Sequence, residues 1–565
     1  MARVIVADER DHVAETITSV LGESSLVEFC SRAPAPAAGP KGLGAVIEDE
    51  SIDTVAYSPR LLAKCAMPDL ARAEAFFRCC AASEIKSLIL LSSAQAWDCT
   101  HYNPGLISES RTLPVKTKNP VAACWGQLER AARAMLDNGR IKLTILRLAP
   151  MPVRGGADQF SRLFAARIAP TFPGHDPSIQ LLSPADLALA VRCAIERGVG
   201  GTFNVAPDSV IPLKEALRLA GTTPVRVPYL LQRPLRGVLA PVGLARPIDE
   251  VEYIRYSFTV SNAKMKRKLG FAPTRSSPEA LLELKPERLG SRQAGKIVAR
   301  DYDHFGMDKD YIDAFSRTLF TFLERYYWRI EVDGFQNVPR QGRAMLVGVH
   351  RGFMPWDGVM ALHLMARRIG RYPRFLVHPG LLRFPFLFNF IRRLGGVIAC
   401  RENADYLLER DEMLGMFPEG VRGAFSLYRA AYRLGKFGRD EFVKMALRNH
   451  APIVPFVTVG SAEVFPILKK FEWKWWKRLT DWPCLPITPT FPLLPLPLPS
   501  KWHTQFLKPI HIEDRYPPEA AGDARIVRAI SQEVRELLQE SIDGMLARRR
   551  SIFHGSIFKH NSGTG

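Results

Sequence analysis

A histidine closing an apolar run and an aspartate seven positions later, in VHRGFMPWDG (349–358), are the residue types that base catalysis on a hydroxyl needs. Imidazole titrates near neutrality and can take the proton of an attacking hydroxyl, while a carboxylate on its other nitrogen fixes its orientation. On one continuous helix His350 and Asp357 would share a face but stand about 10 Å apart, beyond hydrogen-bonding reach. A loop removes that objection: Gly352 loosens the chain, Pro355 suits the first turn of the helix PWDGVMALHLMARRIG, and the histidine can fold back onto the aspartate. Taken alone, these ten residues favour a structural reading, in which Asp357 complements the helix dipole and His350 merely ends a strand.

Three further segments change that weighing. GGVIACRENA (395–404) sets Arg401 beyond a strand, where it would face an anion in a cleft. MFPEGVRG (416–423) sets Glu419 at a strand end, followed by Gly420 and, three positions on from Glu419, by Arg422. APIVPFVTVGSAE (451–463) has the β-branched and aromatic content of a buried strand.

In this order and spacing the blocks resemble the glycerolipid acyltransferase family, which includes lysophosphatidate acyltransferases, and more closely its bacterial branch likened to diacylglycerol acyltransferases. HFGMD (304–308) and VDGFQNVPRQG (332–342) look like the same branch, and the resemblance runs from about 300 to 515. It implies that His350 is the general base and Asp357 its orienting partner. It implies also that Glu419 and Gly420 bind the acceptor's glycerol part, and that Arg422 with Arg401 neutralises a phosphate, a role suited to the forked guanidinium. The family's usual block is H-x(4)-D, whereas six residues separate His350 from Asp357 here, which leaves the acceptor open. Cys400 stands beside Arg401 with no base near it in sequence, so no covalent acyl carrier is expected. The expected reaction is direct attack of a lysophospholipid or related glycerolipid hydroxyl on an acyl thioester, carried by coenzyme A or acyl carrier protein, with no cofactor and no metal.

The first half presents a different pattern. The apolar runs VIVA (4–7), DTVAYS (53–58), SLILLSS (87–93), KLTILRL (142–148) and GTFNVA (201–206) alternate with helical stretches such as PDLARAEAFFRCCAAS and GQLERAARAMLDNG, the latter closed by Asn138-Gly139. That alternation predicts a doubly wound parallel sheet. With the Ser92-Ser93 pair, Asp186 in SPADLALA, Asn204 in GTFNVA and KRKLGFAPTRSSPEAL (266–281), it resembles the extended short-chain dehydrogenase/reductase family, the nucleotide-sugar epimerase type of Rossmann domain. The departures weigh more. The turn after the first strand reads ADERDHVAE, without the glycines that let a pyrophosphate approach and with Asp8, Glu9 and Asp11 to repel it. The family's Tyr-x-x-x-Lys pair falls on Val121 and Trp125 of NPVAACWGQLE. A Rossmann-like domain without redox chemistry, and without NAD(P), is therefore expected.

The overall expectation is α/β throughout: a degenerate Rossmann-like domain over 1–285, a linker over 286–300, an α/β acyltransferase domain over 301–545 and a basic polar tail over 546–565. Two alternatives remain: an N-terminal domain with a live NAD(P)-dependent reductase or epimerase activity, and a non-catalytic lipid-binding scaffold. The 565 residues suffice for more than one core, and a net charge of +20 with nine scattered cysteines suggests a reducing compartment and an anionic partner. The opening MARVIVADERDHVAET lacks the apolar core of a signal peptide, and no run is long and apolar enough to span a bilayer. PRFLVHPGLLRFPFLFNFIRRLGG (373–396) reads as an interfacial helical hairpin, and FEWKWWKRLTDWPCLPITPTFPLLPLPLPSKW (471–502) mixes Trp with Lys before an apolar proline run. Trp and Lys suit the lipid headgroup zone, and the neighbouring Leu, Pro and Phe are too apolar for a nucleic-acid groove. The expected place is thus the cytoplasmic face of an anionic membrane, held peripherally and without nucleic acid.

Overall fold

A computed structural model describes residues 2–8, 14–25, 27–32, 51–62, 67–136, 139–156, 158–228, 251–285, 287, 291–352, 354–438, 440–492 and 496–558. They form two compact units, divided between Gly306 and Met307.

In the first unit six strands lie side by side in the order Val27–Arg32, Ala2–Asp8, Thr54–Ser58, Ser87–Ser93, Lys142–Leu148 and Gly201–Val205, every neighbouring pair parallel. The order reverses beside Ala2–Asp8, which is the switch point of a doubly wound Rossmann-like sheet. A sheet covered on both faces demands near-continuous apolar strands, and Thr54–Ser58 is buried along its whole length. One covering helix, Leu70–Ala82, starts where the Asp69 side chain accepts the Arg72 N–H, and it packs Phe76 and Phe77 onto Tyr57 at ring distances of 3.9 and 5.9 Å.

The positions where the resemblance would place a Tyr and a Lys are core. Val121 and Trp125 sit on the inner face of helix Pro120–Leu136, 4% and 2% exposed. One turn on, Glu129 is fully buried and accepts two hydrogen bonds from Arg147 (2.8 and 2.7 Å), one from Ser92 (2.8 Å) and one from Arg133 (3.1 Å). Arg147 also lies over the Trp97 ring at 4.2 Å. Ser93 caps the following turn by accepting the Gln95 N–H. Asp186 accepts from the Thr274 and Arg275 backbone N–H groups, and the Asn204 amide donates to the Ile107 and Ser261 carbonyls. These residues clamp one segment to another. The glycine-free turn at residues 9–13 and the Asn138 half of the Asn-Gly turn lie outside the described residues.

The second unit is built on seven strands in the order Glu331–Asp333, His503–Phe506, Ile453–Val459, Ala344–Gly348, Met413–Met416, Arg374–Val377 and Val397–Ile398. From Ile453–Val459 to Val397–Ile398 all neighbours are parallel, while His503–Phe506 pairs antiparallel with Ile453–Val459. Ile453–Val459 is buried at every position, as its β-branched composition predicts. The two tryptophans Trp328 and Trp502 stack at 4.4 Å inside the core, both fully buried.

Three sequence expectations need correction at this level. The stretch 373–396 is not a helical hairpin: Arg374–Val377 is a strand, and prolines 379 and 385 each open a separate short helix, Pro379–Leu382 and Pro385–Arg393. The span 286–300 contains helix Arg292–Val298, capped by Ser291 and burying Ala294 and Ile297, so chain expected as linker is part of the first unit. After residue 546 the last helix, Ala524–Arg548, ends and the chain docks: the Lys501 N–H donates to the Ile552 carbonyl at 2.7 Å and the His503 ring to the Gly555 carbonyl at 3.2 Å. Residues 559–565 of that tail lie outside the described residues.

Candidate active site

The carboxyl ends of four neighbouring parallel strands of the second unit open on one cavity of about 540 Å³. Beyond Ala344–Gly348 the chain brings His350 and Trp356 to its wall, beyond Arg374–Val377 it brings His378, beyond Val397–Ile398 Cys400 and Arg401, and beyond Met413–Met416 Phe417 and Gly420. Sites gather there because every strand of such a sheet delivers its following loop to the same edge. Phe375, Leu387, Phe390, Ile391 and Trp482 complete a wall that is mainly apolar, so Phe375, Leu381, Leu387, Phe390 and Leu394 of 373–396 face the cavity here.

At this edge His350 and Asp357 meet. Gly352, at φ +75°, reverses the chain directly after the histidine, in a conformation that a side chain disfavours. Helix Trp356–Ile369 then starts at Pro355 and holds Asp357 in its first turn, 1% exposed. One Asp357 oxygen is 2.7 Å from His350 Nδ1, and the other accepts the Arg351 backbone N–H at 3.0 Å. Both oxygens are acceptors, so in the neutral ring it is Nδ1 that carries the proton and donates it, and Nε2 keeps its lone pair. The His350 ring lies against Phe417 at 5.1 Å.

Arg351 is the residue that sequence reasoning missed. Its side chain is 2% exposed. One guanidinium nitrogen donates to the His350 carbonyl at 3.0 Å and pairs with Glu419 Oε2 at 2.7 Å, and the others donate to the carbonyls of Ala431 and Arg433. Glu419 Oε1 accepts the Gly435 N–H at 2.8 Å. Partners at 419, 431 and 433 give no local spacing signal around an arginine at 351. The pair locks the loop carrying His350 to the loop carrying Glu419, so that Glu419 is turned into the protein while the adjoining Gly420 faces the cavity.

The two other arginines differ. Arg401 lines the cavity, is largely exposed, and pairs with Asp405 at 3.1 Å one helical turn on, which leaves part of its fork available. Arg422 is exposed and off the cavity wall. Cys400, which bears a thiol, lies on the wall. Among the described residues no cluster of His, Cys, Asp or Glu is arranged to hold a metal, and no helix is long and apolar enough to cross a membrane.

Residues 329–459 match the model of the Acyltransferase family, a span that contains His350, Asp357, Arg401, Glu419 and Arg422. An uncharacterised protein of Mycobacterium tuberculosis is 35% identical over 327 residues, which cover 56% of this chain and 90% of its own. One of Mycobacterium leprae is 37% identical over 260 residues, covering 45% and 70%. More distantly, the chloroplastic phytyl ester synthase 2 of Arabidopsis thaliana is 25% identical over 250 residues, 39% of this chain and 34% of its own. Among solved structures, the UDP-N-acetylglucosamine 4-epimerase from Bacillus cereus aligns with 51% of this chain and 100% of its own at a TM-score of 0.38 and 13% identity. The second unit, in which the histidine and aspartate meet at the sheet edge, thus carries an Acyltransferase-family domain over residues 329–459.

Proposed function

We propose that the protein transfers an acyl chain from a thioester of coenzyme A or acyl carrier protein to a hydroxyl of a lysophospholipid or related glycerolipid. The observation that carries this is the His350–Asp357 pair, 2.7 Å apart, on the wall of an apolar cavity large enough for a lipid chain. His350 Nε2 takes the proton of the acceptor hydroxyl as its oxygen attacks the thioester carbonyl carbon. Asp357 stabilises the imidazolium that forms. Collapse of the tetrahedral intermediate breaks the C–S bond, and the leaving thiolate takes the proton from Nε2, so the base is regenerated and no metal or redox cofactor enters.

Arg401 at the cavity wall supports an acceptor or donor carrying phosphate, and the aromatic and aliphatic wall supports a long acyl or alkyl chain. The relative named as a phytyl ester synthase makes, by that name, phytyl esters, and a long apolar alcohol would suit the same wall. The first unit is read as a domain without redox chemistry, since Val121 and Trp125 are packed in its core. The protein would act peripherally on the cytoplasmic face of an anionic membrane.

The test is transfer by the full chain from labelled acyl-coenzyme A and acyl-carrier-protein donors to a panel of lysophospholipids, monoacylglycerols, diacylglycerols and long-chain alcohols. Product lost in His350→Ala supports the reading and identifies the acceptor. No product from folded protein with any pair defeats it.

A further inference from the structure

We infer that residues 468–487 form a docking face for an anionic bilayer, continuous through aromatic side chains with the wall of the catalytic cavity, so that lipid reaches His350 directly from the membrane. The second half of this inference rests on the acyl-transfer reading. The docking half does not.

The segment is a small module. Strands Lys469–Phe471 and Leu485–Ile487 pair antiparallel and hold helix Lys474–Thr480 between them. Helical spacing sorts its side chains: Trp475 and Leu479, four residues apart, share one side, while Trp476 and Thr480 share another. The second side is anchored, with Thr480 buried and Trp476 Nε1 donating to the Cys484 carbonyl at 3.0 Å. The first side is bare. Trp475 is 57% exposed and Leu479 61%, joined by Trp473 at the start of the helix and by Leu468 before the first strand.

Two observations select the partner. The first is charge: residues 468–479 carry five cations, Lys469, Lys470, Lys474, Lys477 and Arg478, against the single acid Glu472. Lysine is depleted at protein interfaces, whereas Trp beside Lys is the composition of the lipid headgroup zone. A nucleic-acid groove has no use for the exposed Leu468 and Leu479 among the tryptophans.

The second is continuity. Exposed Trp473 stacks on Trp475 at 5.6 Å, Trp475 meets Trp476 at 5.8 Å, and Trp476 meets Trp482 at 6.3 Å. Trp482 is 8% exposed and forms part of the cavity wall. An unbroken row of indole rings therefore leads from the charged surface to the place where the acyl chain would lie. An apolar substrate can follow such a row without entering water.

The experiment uses the full chain and two vesicle preparations, phosphatidylcholine alone and phosphatidylcholine with one third phosphatidylglycerol, in sedimentation assays. Wild type is expected to bind the anionic vesicles at least tenfold better than the neutral ones. Trp475→Ser/Leu479→Ser should lower that binding at least tenfold, and Lys474→Glu/Lys477→Glu should abolish the preference for anionic lipid, with melting temperatures unchanged in both. Transfer to an acceptor embedded in anionic vesicles should fall in step with binding. Transfer to a short-chain acceptor below its micelle concentration should hold.

Wild-type binding that both variants retain overturns the inference, as does a wild type that binds heparin or RNA and no vesicle. A wild type that binds anionic vesicles through these residues but transfers no acyl group upholds the docking face and defeats the catalytic reading instead.

Discussion

The two units solve the same architectural problem with opposite results at the sheet edge. Each is a sheet with a parallel core, and each carries a buried arginine–glutamate pair: Arg147 with Glu129 in the first unit, Arg351 with Glu419 in the second. In the first, the pair touches Ser92 and Trp97, and Glu129 stands one turn on from Trp125 and two from Val121, the buried positions where the resemblance would place a catalytic Lys and Tyr. In the second, the pair lies behind the histidine and keeps the loop open over a cavity. A buried ion pair is weak evidence for stability, since its desolvation offsets its attraction, so what such a pair holds in place matters more than its presence.

Substitutions sharpen the contrast, beginning with the largest effect. His350→Ala should lower acyl transfer by about 10⁴-fold, the upper range for loss of a general base, without altering the melting temperature by more than a few degrees. Asp357→Asn should cost on the order of 10²- to 10⁴-fold in kcat. The amide can no longer accept on both sides from His350 and Arg351, so the ring loses the tautomer that leaves Nε2 free. A variant with full kcat would show that the 2.7 Å contact is structural.

The paired prediction concerns the two arginines. Arg351→Met should destabilise its unit by about 3 kcal/mol, because it strands the buried Glu419 carboxylate, and Arg147→Met by less, because Arg133 still pairs with Glu129. They should differ in activity. Arg351→Met frees the His350 carbonyl and the Glu419 loop, so kcat per folded molecule falls about tenfold or more with the pH profile of kcat displaced, an expectation on the scale of misplaced catalytic groups. Arg147→Met should leave kcat per folded molecule unchanged. Equal losses would mean that the first unit contributes to the chemistry, and the comparison would fail.

How much of this was legible in the sequence depends on the range of the interactions. The strands of the first sheet followed from apolar runs, because a strand buried on both faces writes itself locally. The return of His350 onto Asp357 was legible for a similar reason: glycine and proline at 352 and 355 act within a few residues. Arg351 was not, since its partners are some seventy to eighty positions away and only the fold unites them. The inward turn of 373–396 was hidden for a related reason. Phe and Leu with flanking Arg are the composition of a bilayer surface and of a lipid-sized cavity alike, and only the position beside the sheet edge distinguishes them. Glu419 shows the limit of motif reading: its place at the strand end was foreseen, but its engagement with Arg351 depends on a neighbour that the motif does not contain.

The smallest predicted effect lies far from the cavity, where the last described residues dock on the second unit. His503 is fully buried, and burial pushes its pKa below the usual histidine value of about 6.5. Glu331, 3.6 Å from its Nε2, pulls the other way, and Lys501 and Arg549 add to the push. As a neutral ring it donates Nε2–H to the Gly555 carbonyl. Because the folded form holds this proton site less tightly than the unfolded chain does, its contribution to stability is complete above about pH 6.5 and drains away as the unfolded ring protonates below it. Glu331 is also held below its usual value: burial opposes ionisation there, but donors from Lys501 and Ser556 outweigh it, so its share is lost only at more acidic pH. Melting temperature of the second unit should therefore decline as the pH falls below about 6.5, with His378, whose pKa burial also lowers, adding to the decline. His503→Gln, which keeps a donor and removes this titration, should lessen that decline, leaving the His378 share and the slope below pH 4.5 in place. Parallel curves for the two proteins would show that the buried ring is not what senses acid here.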